Sequence, residues 1–301
     1  MKSRLLTVVL GVGLVSWLLP GPASASQGQV TEACGVVAGS VTSGGDHRQQ
    51  YFSATVPPTR ILDHVLQYQA FPAGQTRLSG SMVADPNAAG PDVSGHLVIG
   101  SVMYSTAYAA NWWEPETGPV RLTRVGGGWG DFTAFDEALY VPTTGRGRTS
   151  AYGLRSDGVL FRWTIAPSGV WQGKTSYPGF AAVKAFAIIS ETATYDTLLA
   201  TTRGGALYTI HIPTSTPMHP VVKLVRRTTW QVFESLMVAA CGQYGVLLLG
   251  VDKNTHSGYL YAVGHATGLS TVIQPRGKLP VSFDDPTYHG WAAPGSPLFG
   301  E

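Results

Sequence analysis

The sequence predicts an all-β chain of small repeated antiparallel sheets, on three observations. Its 37 glycines and 20 prolines punctuate short runs of Val, Leu, Ile, Thr, Tyr and Phe, which is how strands bounded by turns read, and past the N-terminus no segment keeps the i, i+3, i+4, i+7 apolar spacing of a helix. One hairpin pattern (small residue, Gly, any residue, Leu, apolar residue) recurs as Asp157-Gly158-Val159-Leu160-Phe161, Gly204-Gly205-Ala206-Leu207-Tyr208 and Ser257-Gly258-Tyr259-Leu260-Tyr261, its glycines 47 and 53 residues apart. An aromatic residue three before a Phe precedes each copy, at Trp129 and Phe132, Tyr177 and Phe180, Trp230 and Phe233, with spacings of 48 and 53.

Two independent marks with a common period of about 50 predict blades of three or four strands packed around an axis, because one such sheet cannot bury both faces alone. Glycine at the hairpin supplies the positive φ of a tight turn, and Leu opens the returning strand. Upstream the pattern weakens. Ser94-Gly95-His96-Leu97-Val98 fits the hairpin but lies 63 residues before its successor, whereas matching Trp113 to Trp163 keeps a spacing of 50; the second register is preferred. The expected domain is 26–301, with repeats at about 73–120, 121–172, 173–219 and 220–270. Residues 35–72 join 271–301 in one composite N- and C-terminal blade, which makes a five-bladed β-propeller.

The first residues have the order that export requires. Lys2 and Arg4 precede an apolar run from Leu5 to Leu19, then Pro20, Pro22 and the small residues Ala23-Ser24-Ala25, so residues 1–25 read as a signal peptide cleaved after Ala25. The run is 15 residues long and broken by Gly11, Gly13 and Ser16, short of the ~20 needed to span a bilayer. Cys34 lies nine residues past the cut, which argues against a lipid anchor. The mature chain of 276 residues (301 − 25) is expected to be secreted, extracellular, monomeric and not membrane-inserted. Cleavage removes two basic residues and leaves 18 of each sign (20 − 2 against 18). With charged residues at 13% and no block of one sign, nucleic acid and anionic membrane surfaces are poor partners. In an oxidising compartment the only two cysteines, Cys34 and Cys241, are expected to be bridged.

Val125-Gly126-Gly127-Gly128-Trp129-Gly130-Asp131-Phe132, followed by Leu154-Arg155-Ser156-Asp157-Gly158-Val159-Leu160-Phe161-Arg162-Trp163, resembles one blade of the tachylectin-type five-bladed propellers. Those repeats carry a Gly-Trp-x-x-Phe segment and an Asp-Gly-x-Leu hairpin. The resemblance is good over 125–172, partial over 173–265 and faint elsewhere. It implies a propeller that binds amino sugars such as N-acetylglucosamine, with Trp129, Asp131 and Phe132 as the ligand-binding residues. The other blades depart from the pattern, with Tyr177, Gly179, Thr229 and Val232 in its positions, so identical repeated sugar sites are not implied.

Catalytic signatures are absent: no G-x-S-x-G elbow, no G-x-x-x-x-G-K-[ST] loop and no H-E-x-x-H helix. No cofactor is expected. The run Gly126-Gly127-Gly128 lacks a following helix that could present amides to a phosphate and reads as a turn. The eight histidines never fall at the spacing of a local metal pair, and Asp284, Asp285 and His289 form the densest polar group, read as a solvated loop. The aromatics are more telling. A sugar stacks its C–H face on an exposed indole, whereas a propeller also uses large rings to fill the wedge between blades. Trp163 and Trp171 lean to the wedge; Trp129, between glycines and near Asp131, fits either role, and Trp112, Trp113, Trp230 and Trp291 complete the mature set. The leading expectation is a noncatalytic, lectin-like binding module for glycans. The alternatives are a secreted hydrolase assembled in the funnel from Asp131, Asp285 and His289, or a structural or protein-interaction propeller.

Overall fold

The computed structural model describes residues 34–86, 88, 90–111, 113–142, 144, 147–292 and 297–301. The expected signal peptide and Trp112 lie outside the described residues. In chain order the strands are β1 (Gly35–Val41), β2 (His47–Ser53) and β3 (Thr59–Tyr68); β4 (Thr76–Ser79), β5 (Met82–Pro86), β6 (Pro91–Ile99) and β7 (Val102–Ala109); then β8 (Glu116–Thr117) and β9 (Leu122–Gly127). The regular blades follow: β10 (Phe132–Tyr140), β11 (Arg148–Arg155), β12 (Leu160–Ile165) and β13 (Trp171–Tyr177), then β14 (Val183–Glu191), β15 (Tyr195–Thr202), β16 (Leu207–Pro213) and β17 (Val221–Arg226). Last come β18 (Ser235–Ala240), β19 (Val246–Asp252), β20 (Ser257–Val263), β21 (Ile273–Ser282), β22 (Thr287–His289) and β23 (Trp291–Ala292). They form five sheets, ordered β22-β1-β2-β3-β8, β23-β5-β6-β7-β9 with β4 on β6, β10 to β13, β14 to β17, and β18 to β21. This is a five-bladed β-propeller, and no helix among its described residues is long and apolar enough to cross a membrane.

Five apolar clusters fill the five junctions between neighbouring blades. The Leu of each hairpin pattern is a core residue, with Leu160 at 1% exposure and Leu207 and Leu260 at 0%, each stabilising by about 2 kcal/mol. The two recurrent sequence marks touch one another. Gly158 O accepts from Phe180 N at 2.9 Å and Gly205 O from Trp230 N at 3.0 Å, so the turn of one blade holds the aromatic residue that enters the next. Ser101 O with Trp129 N and His256 O with Phe283 N, both 3.0 Å, repeat the contact. Gly158 and Gly205 have φ of +84° and +93° in those turns. In the third copy His256 takes the positive φ of 52°, and Gly258 lies within β20 instead of at the turn.

The repeat boundaries differ from the expected ones. Cuts near 121, 173 and 220 fall before or inside β9, β13 and β17, yet each of these is the outermost strand of the preceding sheet. The aromatic mark leads into an innermost strand, so a blade begins after that outer strand. Likewise β21 pairs with β20 in the fifth blade, and the C-terminal share of the composite first blade is β22. Neither upstream register survives, because Ser94 to Val98 lie inside β6, Trp113 follows β7, and the turn is at Gly100 and Ser101. Gly126 and Gly127 belong to β9, and the turn starts at Gly128.

The C-terminal segment closes the ring. β22 lies antiparallel on the inner edge of β1, with Gly39 opposite His289, and two residues later β23 lies parallel on β5, with Trp291 opposite Met82. Residues 298–300 then bond to the end of β14, Glu191 N to Leu298 O at 3.0 Å and Gly300 N to Ile189 O at 2.8 Å. The expected disulfide is present: Cys34, just before β1, bridges Cys241, just after β18, with Cα atoms 5.3 Å apart.

Candidate functional site

Along β10 successive side chains face opposite ways. Ala134 and Ala138 pack toward the fourth blade, while Phe135 packs toward the second. Two acids interrupt this otherwise apolar strand. Asp136 is spent on structure: its Oδ1 accepts from Ser81 N and Glu137 N, both at 2.9 Å, and its Oδ2 from Ile188 N at 3.0 Å, tying three blades together. Burial pushes its pKa up against those donors. Glu137 faces the other way, into a groove between the second and third blades.

That groove has a volume of about 650 Å³ and is lined by the hydroxyl-bearing Ser94, Ser105, Thr106, Thr123, Thr149 and Ser168, with Arg121, His96 and Glu137. Glu137 and His96 form its floor, 8% and 14% exposed, with Oε1 and Nδ1 2.8 Å apart. The indole N–H of Trp171 donates to His96 Nε2 at 3.4 Å, which places the imidazole proton on Nδ1. Nδ1 and Oε1 lie side by side, and among the described residues neither makes an aligned hydrogen bond to another group. Burial works against charge on His96, and the adjacent carboxylate overcomes it, so its pKa lies above the ordinary value.

The sequence-predicted residues lie behind this groove. Trp129 and Phe132 are buried, 5% and 6% exposed, with rings 4.3 Å apart. Trp129 also packs on Phe135, Trp163 and Trp171 at 5.4, 5.3 and 6.0 Å. Trp171 in turn meets His96 edge-on at 5.2 Å. The aromatic cluster therefore props the imidazole. Asp131 is exposed on the turn before β10, and its backbone oxygen accepts from Ser156 N at 2.9 Å.

Asp131, Asp285 and His289 are not brought together by any described contact. Asp285 accepts from Ser40 Oγ at 2.6 Å, and Asp284 pairs with His256 at 2.8 Å on the surface. His289 is buried in the seam between the first and second blades, in a chain whose protons can be assigned. Tyr108 O–H donates to His47 Nδ1 at 2.5 Å, His47 Nε2–H donates to His289 Nε2 at 3.0 Å, and His289 Nδ1–H donates to Gly290 O at 2.9 Å. Burial, reinforced by His289, holds His47 far below its ordinary pKa, and burial lowers His289 to about 4. A histidine with both nitrogens committed is not placed to take a proton from a substrate. Among the described residues no three His, Cys, Asp or Glu side chains converge as a metal cage would.

Sequence reasoning missed His96 and Glu137. The available signal was adjacent acids inside the apolar strand Phe132–Tyr140, where an unpaired charge is costly enough to need a reason.

No family model matches the chain, and no curated protein matches it. Among solved structures it is similar to an apocarotenoid oxygenase of Synechocystis (10% identity, TM-score 0.36), over 80% of this chain and 66% of that one, just under two thirds of its length. It is also similar to BBS1N in complex with ARL6DN (10% identity, TM-score 0.31, 78% and 81% covered). A third similarity is to the WD40 domain of SCAP from fission yeast (12% identity, TM-score 0.32, 85% and 71% covered).

Proposed function

We propose that the chain is a secreted, noncatalytic binding module that takes a carbohydrate in the groove between its second and third blades. The observation that carries this reading is the floor of the groove. There a carboxylate and an imidazole 2.8 Å apart lie among serine and threonine hydroxyls, a setting that suits a sugar hydroxyl, which both donates and accepts. The surrounding serine and threonine hydroxyls suit further hydroxyls, and the volume accommodates more than one ring. Trp129 serves as the buttress of Trp171 and not as the stacking platform. The tachylectin-type resemblance over 125–172 and the export-type leader point the same way, and a disulfide is at home in an oxidising compartment.

The test is a glycan array with the mature protein, followed by titration of the bound sugar. Glu137→Gln is expected to weaken binding about tenfold or more while keeping the fold, since a charged hydrogen bond is lost from a desolvated site. Trp129→Ala is expected to lower the stability by about 3–5 kcal/mol, read as a clear drop in the unfolding midpoint. An array with no bound glycan, or a Glu137→Gln protein that binds like wild type, would overturn the reading.

A further inference from the structure

A second concavity opens on the propeller axis, about 290 Å³ in volume and lined by the inner strands of all five blades. Three cations reach it from separate blades: Arg77 from β4, Lys184 from β14 and Lys253 from the turn after β19. Among the described residues two carboxylates line it with them. Glu234 is engaged by Lys184 Nζ at 2.6 Å and by the backbone N of Lys253 at 2.9 Å. Asp136, at the floor, has its oxygens occupied by three backbone N–H groups. His289, also in the lining, is neutral.

The cations are anchored without being used up. Arg77 donates to Gly100 O and Trp129 O at 3.0 and 3.3 Å and to Phe132 O at 3.3 Å, carbonyls that fix its guanidinium but leave its charge unmatched. Among the described residues Lys253 Nζ bonds the carbonyl of Pro286, which leaves two of its three donors for another group. Burial lowers the Lys253 pKa despite Glu234, the mark of an ammonium short of counter-charge. Cations in excess over carboxylates, with Lys184 and Lys253 half-buried and Arg77 exposed at the rim, favour an anion there.

We propose that the axial funnel binds a small oxyanion, a carboxylate or phosphate group on a ligand of monosaccharide size, at a site separate from the groove. Lys253 and Arg77 bind the anion directly, and the Lys184–Glu234 pair positions Lys253 through its backbone.

Calorimetric titration of the intact secreted protein tests this, with inorganic phosphate, D-glucuronate and neutral D-glucose as probes at ionic strength matched with sodium chloride. Saturable heat is expected from phosphate, from glucuronate or from both, which tells the two sources of oxyanion apart, and none from glucose. Lys253→Gln should weaken the anion about tenfold. Glu137→Gln, which lies in the groove, should leave it unchanged. If Lys253→Gln loses its β-sheet circular dichroism, the exposed Arg77→Gln carries the same expectation. The proposal falls if neither anion gives saturable heat above chloride, or if a folded variant of either cation binds both anions as well as wild type does. Because the groove is read out by glycan binding and the funnel by small anions, either can fail without the other.

Discussion

Between the fourth and fifth blades an apolar core and one turn are supplemented by the Lys184–Glu234 pair and by Gly300, which bonds Ile189 on one side and Ala266 on the other. Ile189, Leu199, Leu207, Val246 and Leu248 are all fully buried there, and the carbonyl of Gly205 holds Trp230. Between the first and second blades the join is different: an added C-terminal segment lies across both inner edges, and its centre is the uncharged chain Tyr108, His47, His289. Space for that chain exists only because residue 39 is glycine, whose Cβ would lie 2.0 Å from the His289 ring. Junctions within the chain can repeat one economical contact, whereas the junction that joins the two ends must be assembled from segments far apart in sequence. Polar groups there specify which strand enters, and a cross-link holds the neighbouring first and fifth blades together.

Breaking that cross-link should have the largest effect. The Cys34–Cys241 bridge closes a separation of 207 residues, and loop-closure entropy gives an upper figure of ~5 kcal/mol. Reduction, or the pair Cys34→Ser with Cys241→Ser, is expected to lower the unfolding midpoint. It should also expose the β1–β2 region to protease before β14–β16. Simultaneous cleavage of both regions would show that the seam is no weaker than the regular blades.

The same contrast explains what could be read in advance. The hairpin and aromatic marks recur because the turn of one blade bonds the residue that opens the next, Gly158 with Phe180 and Gly205 with Trp230; Phe180, and not Tyr177, stands where Trp129 and Trp230 do. An aromatic that opens a blade can fill an interface, as the buried Trp129 and Phe132 do beside Phe135. His96 and Glu137, the floor of the proposed site, carry no period, because a single groove places no demand on the other blades. The expected boundaries fall one strand early because the outer strands Leu122–Gly127, Trp171–Tyr177 and Val221–Arg226 are largely exposed and carry little apolar pattern. The composite blade was legible from chain length, but nothing local announces that Thr287–His289 pairs with Gly35–Val41.

Acid should separate the two regions further. His289 titrates at about 4 in the fold against an ordinary 6.5, so the unfolded chain binds the proton first as pH falls. Stability from the neutral pair is complete above 6.5 and is lost on the way to 4, by about 3 kcal/mol for His289 alone, with His47 adding in the same direction. Glu191, at the end of β14, behaves oppositely. Burial, with Asp196 and Asp136 nearby, raises it to about 8 against an ordinary 4.5, so acidification from 8 to 4.5 favours the fold there. A global midpoint mixes the two effects, and amide hydrogen exchange resolves them. Between pH 7 and 5, after correction for intrinsic rates, Thr287–His289 should lose protection while Ile188–Glu191 keeps or gains it. Equal loss in both segments would mean that the histidine pair is not the acid-sensitive joint.

The smallest effect sharpens the account of the regular junctions. Gly128 and Gly158 share a φ of +84°, but a Cβ on Gly128 meets nothing within 4 Å, whereas one on Gly158 would lie 2.3 Å from the backbone N of Ala181. Both Ala variants incur the left-handed backbone penalty of about 1 kcal/mol. Only at residue 158 must the next blade's entry also move, and Ala181 is backbone that cannot rotate aside, next to Phe180, whose N–H bonds to Gly158 O. Overpacking of this kind adds a further ~1–3 kcal/mol. Urea unfolding should therefore place Gly158→Ala below Gly128→Ala by about that margin, with both below wild type. If the two variants unfold together, the turn glycine is required only for its backbone angle, and the shared period of the two sequence marks needs a cause other than their contact.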